Sequence, residues 1–285
     1  MHTRRYKTIL SPNNTMNLYR GCTHDCIYCD SRSSCYQMAH RFEDIEIKEA
    51  AITILDQQLK KRRQPCMIVT GAMSDPYVHT EQRLRQTRQA LEVIKKNGFG
   101  VALLTKSTRV LEDLDLLIEI NQQTKAVVQM TLTTYDEALC KKLERQVATT
   151  YHRFLALKRF QAAGIPTVVW LSPILPFIND SEENLLWVLD YCRQAGVKGI
   201  ICFGFGVTMR EENRAYFYQQ LDRDFPGMKE KYQQAFGDRY VCDSPNQQKL
   251  MAIFCAFCQT YQILYRPEEV FAYIHRFEDQ QLTLF

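Results

Sequence analysis

Arg20-Gly21-Cys22-Thr23-His24-Asp25-Cys26-Ile27-Tyr28-Cys29-Asp30 places three cysteines in a loop directly after the strand-like stretch from Met16 to Tyr19. Thiolates spaced x3 and then x2 can wrap one corner of a cubane iron–sulfur cluster, whereas a ferredoxin-type site uses four. Three ligands leave one iron open. An open position that can chelate an amino and a carboxylate group separates a catalytic metal site from a closed structural one. Tyr28, directly before the third cysteine, falls beside whatever occupies that iron. Two other readings of the same residues are a zinc site built from the three cysteines with His24, and a buried thiol cluster. The zinc reading lacks the second, separated ligand pair usual in structural zinc sites.

Outward from the loop, strand-like and helical stretches alternate. Met67-Ile68-Val69-Thr70 is flanked by helix candidates over 44–62 and 80–96, and Val101 to Leu104 is followed by a helix over 108–121. Then come the strand Ala126 to Met130, a helical region over 135–163, the strand Thr167 to Leu171 and the strand Gly199 to Phe203. Before the fifth helix, Asp180 and Glu183 have the spacing of an N-cap pair. Six strands separated by helices call for a parallel sheet with right-handed crossovers. The expectation is an α/β fold, a partial (β/α)6 barrel related to the TIM type, with chemistry at the C-terminal strand ends. Strand alternation stops beyond residue 209, where helices over 210–221, 227–235 and 245–262 form a C-terminal extension. The expected division is therefore a core of 1–208 and an extension of 209–285 packed on it.

With 285 residues, 46% hydrophobic and 24% charged, the chain can bury one large core. Its net charge of +4 and short basic runs such as Lys60-Lys61-Arg62-Arg63 read as solvated helix faces rather than a nucleic-acid stripe. Residues 1–15 carry no apolar stretch, so neither a leader nor a membrane span is expected, and the cytoplasm is the expected compartment. Eleven cysteines is an odd number in a chain read as cytoplasmic, which favours metal or redox chemistry over a disulfide framework.

Cys22-x3-Cys26-x-Tyr28-Cys29 resembles the signature of the radical S-adenosylmethionine (SAM) superfamily. The run Asn17-Leu18-Tyr19-Arg20-Gly21-Cys22 resembles the spore photoproduct lyase branch and its relatives known as DNA repair photolyases. Ser74-Asp75-Pro76-Tyr77, Thr105-Lys106-Ser107, Ser172-Pro173-Ile174-Leu175-Pro176 with Asn179-Asp180, Tyr240 to Pro245 and the closing Leu284-Phe285 extend that likeness over nearly the whole chain. The resemblance implies a [4Fe–4S] cluster on Cys22, Cys26 and Cys29, with SAM on the open iron. It also implies an external electron donor of the flavodoxin or ferredoxin type and a 5′-deoxyadenosyl radical that removes a hydrogen atom from substrate. Tyr28, Ser74, Asp75, Lys106 and Thr131 are the implied cofactor contacts. Nucleic acid is the implied substrate class, with RNA, peptide or protein modification as the alternative and a non-catalytic iron–sulfur or zinc protein as the reading from another class. Some relatives are encoded in pairs, which adds a second radical SAM protein as a candidate partner.

Two departures matter. Spore photoproduct lyase has a hydrogen-donating cysteine two residues before the serine of the second strand, where this chain has Ala72, and a tyrosine after the third cluster cysteine, where this chain has Asp30. Dimer reversal is therefore not carried over, because a fold does not fix a substrate. Cys242, Cys255 and Cys258 are weighed as an auxiliary cluster but read as packing residues. Cys35 and Cys202 are the candidate functional thiols, and Tyr77 and His79 are candidates to face substrate.

Overall fold

The computed structural model describes residues 1–279; the closing Leu284-Phe285 lies outside them. Six parallel strands form the central sheet: β1 (Thr15–Met16), β2 (Met67–Thr70), β3 (Gly100–Thr105), β4 (Ala126–Thr131), β5 (Thr167–Trp170) and β6 (Gly199–Ile201). Their order in the sheet is their order in the chain, with β1 and β6 at its two ends. Every crossover steps the same way, which curls the sheet into an incomplete barrel instead of a doubly wound sheet.

Both faces of these strands are apolar, as a parallel sheet covered on both sides requires. Ile68, Val101, Leu103, Val128, Val169 and Ile200 share the main core with Leu55, Leu91, Leu117, Leu157 and Leu185 of the surrounding helices. Met67, Ala102, Val127, Val168 and Ile201 line the lumen instead, where Val270 and Ile274 of the helix Pro267–His275 pack against them. That helix was not expected from the sequence. It plugs the barrel from below, and the buried Lys125 at the start of β4 fixes it by donating to the Tyr273 and Arg276 carbonyls (2.8 and 3.1 Å) and to Glu278 (2.8 Å). The segment before it covers the sheet edge, with Ile200 N–H donating to the Leu264 carbonyl at 2.8 Å.

Several element boundaries differ from expectation. The stretch from Met16 to Tyr19 is two strands: Met16 pairs with β2, while Tyr19–Arg20 turns away to pair antiparallel with Glu46–Glu49, itself parallel to His2–Arg5. The helix expected from residue 44 therefore begins as a strand and runs only over Ala51–Lys60, after Ala50 reverses the chain at φ 54°. The next helix breaks at Arg85, φ 50°, because the Glu81 carboxylate takes the Thr87 amide at 2.8 Å. Residues 108–113 form a 3-10 turn ahead of Leu114–Gln123. The 135–163 region is two helices, Glu137–Leu143 and Thr150–Ala162. The fifth crossover helix, Glu182–Gln194, is capped by Ser181, whose side chain accepts from the Asn184 amide, and Asp180 instead accepts from Ser244 at 2.5 Å.

C-terminal helices stand at Glu211–Asp224, Met228–Phe236 and Gln247–Thr260. Strand character does not end at residue 209, because Val241–Asp243 pairs antiparallel with Gly206–Thr208 in a ribbon at the cavity rim. Among the described residues no helix is long and apolar enough to cross a membrane.

Candidate functional site

The cysteine loop is docked by its backbone before any cofactor is considered. Gly21 sits at φ 87°, and a Cβ there would lie 2.4 Å from the Phe42 carbonyl oxygen, so the turn admits only glycine. The next amide, Cys22 N–H, donates to that carbonyl at 3.0 Å, and the Ser74 hydroxyl donates to the Gly21 carbonyl at 2.6 Å. The far side of the loop lies along residues 143–146: Ile27 N–H donates to the Leu143 carbonyl at 3.0 Å, and Gln146 N–H to the His24 carbonyl at 3.1 Å.

Cys22, Cys26 and Cys29 open into a cavity of about 500 Å³ above the strand ends. Tyr28, Ser74, Asp75, Lys106 and Thr131 line the same cavity, so the structure brings all eight singled-out positions together. Its size falls in the range of small-molecule sites. Burial pushes the Cys26 and Cys29 thiols above their ordinary pKa, so thiolates here call for a metal or another positive partner. The residues fit a cluster with an open iron: three thiols from one loop, space above them, and an ammonium and hydroxyls on the facing strand ends.

Each facing residue has a defined partner. Lys106 Nζ donates to Thr131 Oγ1 at 3.2 Å and lies 5.9 Å from the Tyr28 ring centre. Burial alone would lower its pKa, but the charge of a Cys26 thiolate and that of the Glu144 carboxylate outweigh this and raise it, so Lys106 is held as a cation. Asp75 accepts from Thr105 Oγ1 (2.7 Å), the Tyr77 amide (2.8 Å) and the Lys106 amide (2.8 Å), and it faces His24 Nδ1 at 3.4 Å. Burial would raise the Asp75 pKa, yet His24 and these donors hold it at about 2. Burial would likewise lower that of His24, which Asp75 and the Cys22 thiol instead raise to about 10. With Nδ1 on Asp75 and Nε2 on the Tyr77 carbonyl at 3.3 Å, His24 is engaged as a brace rather than as a fourth metal ligand.

Sequence reasoning missed Glu144 and Arg153. Tyr28 donates its hydroxyl to the Glu144 carboxylate, which forms a wholly buried ion pair with Arg153. Arg153 also donates to the Thr131 carbonyl at 2.5 Å and the Ala148 carbonyl at 2.9 Å. The pair thus ties the residue beside the third cysteine to the end of β4. A signal was present: Thr150, Arg153, Leu157 and Phe160 follow the buried spacing of one helix face, where a lone arginine demands a partner.

Other candidates fall elsewhere. Tyr77 is a buried loop anchor whose hydroxyl donates to Asp113 at 2.8 Å, and exposed His79 contacts Thr23 Oγ1 at 2.7 Å. Cys35 is exposed on a 3-10 turn outside the cavity. Cys202 is packed under the Gly204 carbonyl, its thiol pushed up to about 11 by burial. Cys242 belongs to the core around the cysteine loop and Cys258 to the main core, so the structure does not gather an auxiliary set. Ala72, Trp170 and the 63% exposed Phe203 complete the cavity wall.

A family model of the radical SAM superfamily matches residues 16–187. An uncharacterized protein of Mycobacterium tuberculosis is 28% identical over 235 residues, which cover 78% of this chain and 66% of that protein, just under two thirds of its length. An uncharacterized Methanocaldococcus jannaschii protein is 30% identical over 169 residues, covering 59% of this chain and 62% of that protein. A spore photoproduct lyase mutant superposes with a TM-score of 0.66 at 14% identity, covering 93% of this chain and 80% of that chain. SuiB of Streptococcus suis, bound to its precursor peptide SuiA, gives 0.53 at 13% identity, covering 93% and 48%. These structural likenesses speak for the shared partial barrel. The family match spans more than half of the chain and includes the cysteine loop, and the chain belongs to the radical SAM superfamily of enzymes.

Proposed function

We propose that Cys22, Cys26 and Cys29 hold a [4Fe–4S] cluster, that SAM binds its open iron, and that the enzyme abstracts a hydrogen atom from a nucleic-acid substrate. The observation that carries this reading is the convergence of three thiols, one cationic lysine and the hydroxyl end of β4 on a single cavity. When bound, the cluster and SAM supply one-electron cleavage that yields a 5′-deoxyadenosyl radical, with the electron coming from a flavodoxin- or ferredoxin-type donor.

The chain's own residues bind and orient. Lys106 gives Thr131 one of its three donors and keeps the rest for the SAM carboxylate. Asp75, with both oxygens engaged inside the protein, sets the Lys106 backbone and holds His24 under the loop. Ser74 fixes the first turn of the loop and Tyr28 forms its wall, both before ligand arrives. Trp170 and Phe203 offer ring faces at the mouth, a surface on which a base can stack irrespective of its identity. Ala72, with no thiol to return a hydrogen atom, supports an outcome other than that of spore photoproduct lyase. Residues 1–208 serve as the catalytic core and 209–285 as the C-terminal extension, whose described part, to residue 279, packs on it.

Anaerobic reconstitution with iron and sulfide, reduction, and quantification of 5′-deoxyadenosine by mass spectrometry tests the reading. Cluster-dependent product that rises with undamaged or ultraviolet-treated DNA, or with RNA, is expected. Cleavage indifferent to every nucleic acid would sink the substrate assignment, and SAM that fails to bind a fully loaded protein would sink the cofactor assignment.

A further inference from the structure

Away from the cavity, the N-terminal strand and the turn before Glu46–Glu49 bring His2, His40 and Asp44 together, one ligand atom of each within 4.8 Å of the others. The two rings meet edge to face with centres 4.6 Å apart. Each ring has an outward acceptor for one nitrogen. His40 Nδ1 lies 3.0 Å from the Arg41 carbonyl, and His2 Nε2 lies 3.5 Å from the Glu46 carboxylate, whose side chain is only 2% exposed. A neutral imidazole carries one N–H. With the N–H of His40 spent on the Arg41 carbonyl, its inward Nε2 presents a lone pair, while His2 Nδ1 shares a hydrogen with Asp44 that a metal would displace.

Asp44 Oδ2 accepts from His2 Nδ1 at 3.0 Å and keeps lone pairs to spare, while its other oxygen meets the Met1 amine at 2.7 Å. His40 Nε2 is buried without a hydrogen-bond partner, and its nearest charged group, Glu46 at 3.9 Å, is another acceptor. A buried imidazole nitrogen left without a partner, with a second imidazole and a carboxylate within reach, is a place where a cation can be held. Ligating histidines also usually donate their second nitrogen to a carboxylate or a carbonyl; His40 already has the Arg41 carbonyl in that place, and His2 Nε2 has the Glu46 carboxylate 3.5 Å away.

We propose that His2, His40 and Asp44 form a second metal site, separate from the cysteine loop, that takes a divalent ion of the zinc class. Two imidazole nitrogens and one carboxylate select zinc-like ions over magnesium or calcium, and leave a fourth position for water. The site has a structural consequence for the first cluster cysteine. Asp44 closes the turn onto the Arg41 carbonyl at 3.0 Å, and Phe42 in that turn accepts the Cys22 amide. A metal would staple this turn to the N-terminal strand and so hold the start of the cysteine loop.

The test uses the full chain with a C-terminal affinity tag free of histidine, loaded with iron and sulfide, and titrated anaerobically with Zn²⁺ by calorimetry. One equivalent of zinc is expected with the iron content unchanged and a raised melting temperature. The same equivalent is expected in the Cys22→Ala, Cys26→Ala, Cys29→Ala triple variant, which separates this site from zinc held by thiols. His40→Ala and Asp44→Asn should each weaken binding at least tenfold and remove the thermal shift. Should either variant fold poorly, His2→Gln, at a side chain more exposed than that of His40, gives the same reading. Zinc bound only when the three thiols are free, or bound equally well by the His2, His40 and Asp44 variants, would overturn the site.

Discussion

Lys106 and Lys125 are ammonium groups drawn into the same barrel, the first half-buried at the top of β3 and the second buried at the foot of β4. Lys125 has three oxygen partners, the carbonyls of Tyr273 and Arg276 and the Glu278 carboxylate, and burial lowers its pKa. Lys106 has one among the described residues, Thr131 Oγ1, while neighbouring negative charge raises its pKa. An ammonium has three donors. At the bottom of the lumen the protein uses all three to secure a plug, and at the top it leaves two facing a cavity. The comparison teaches that burial of a charge does not mark a site; unspent donors turned toward a cavity do.

The sharpest break between the two ends comes from the thiols. Replacing Cys22, Cys26 and Cys29 together by alanine should abolish the brown colour and 5′-deoxyadenosine formation while leaving the circular dichroism spectrum intact, because the plug end is untouched. Retained SAM cleavage would refute the cluster assignment. Glu144→Ala comes next in size: it leaves Arg153 buried without its partner, which costs roughly 3–5 kcal/mol by denaturant titration. It should also loosen Tyr28, seen as altered near-ultraviolet dichroism. A loss below about 1 kcal/mol would mean that water reaches the pair.

At the opposite end, Ile274→Ala opens a cavity against the lumen residues and should cost about 2–4 kcal/mol in denaturant titration. Cleavage per loaded cluster should stay unchanged, and a matching fall in activity would show that the plug shapes the upper cavity too. The two lysines give the smallest and most telling contrast. Lys106→Met should weaken SAM binding about tenfold, roughly 1.4 kcal/mol, with little change in melting temperature. Lys125→Met should do the reverse, costing about 1–3 kcal/mol through its orphaned carbonyls and leaving SAM affinity alone. Equal effects of the two on both measurements would erase the distinction drawn between them.

Much of the barrel and of the candidate site was legible because the information is local. Apolar strands such as Val101 to Leu104 and Ala126 to Met130 are short runs bounded by helices, and their order alone implies a curled parallel sheet. The split between Met16 and Tyr19 was not legible, since nothing local shows that Tyr19 pairs with Ile47 while Met16 pairs with Thr70. Asp75 illustrates the limit at the site: its place after β2 is a sequence feature, but its commitment to His24, Thr105 and the Lys106 amide is not.

By itself the sequence determined the class of chemistry and the candidate positions where it starts, because three thiols at fixed spacing on one loop need no distant residue to offer a metal corner. It also determined the six-fold strand and helix alternation, through periodicities set by backbone geometry. Only the tertiary structure decided what buries the remaining charges and closes the lumen. Arg153 meets Glu144 across a loop, Lys125 meets a helix end from the far C-terminal segment, and Val270 and Ile274 enter the barrel from below. Such pairings come from the requirement that buried polar groups find partners and buried apolar space be filled, and many chain positions could meet it. Which ones do so is fixed when the whole chain packs.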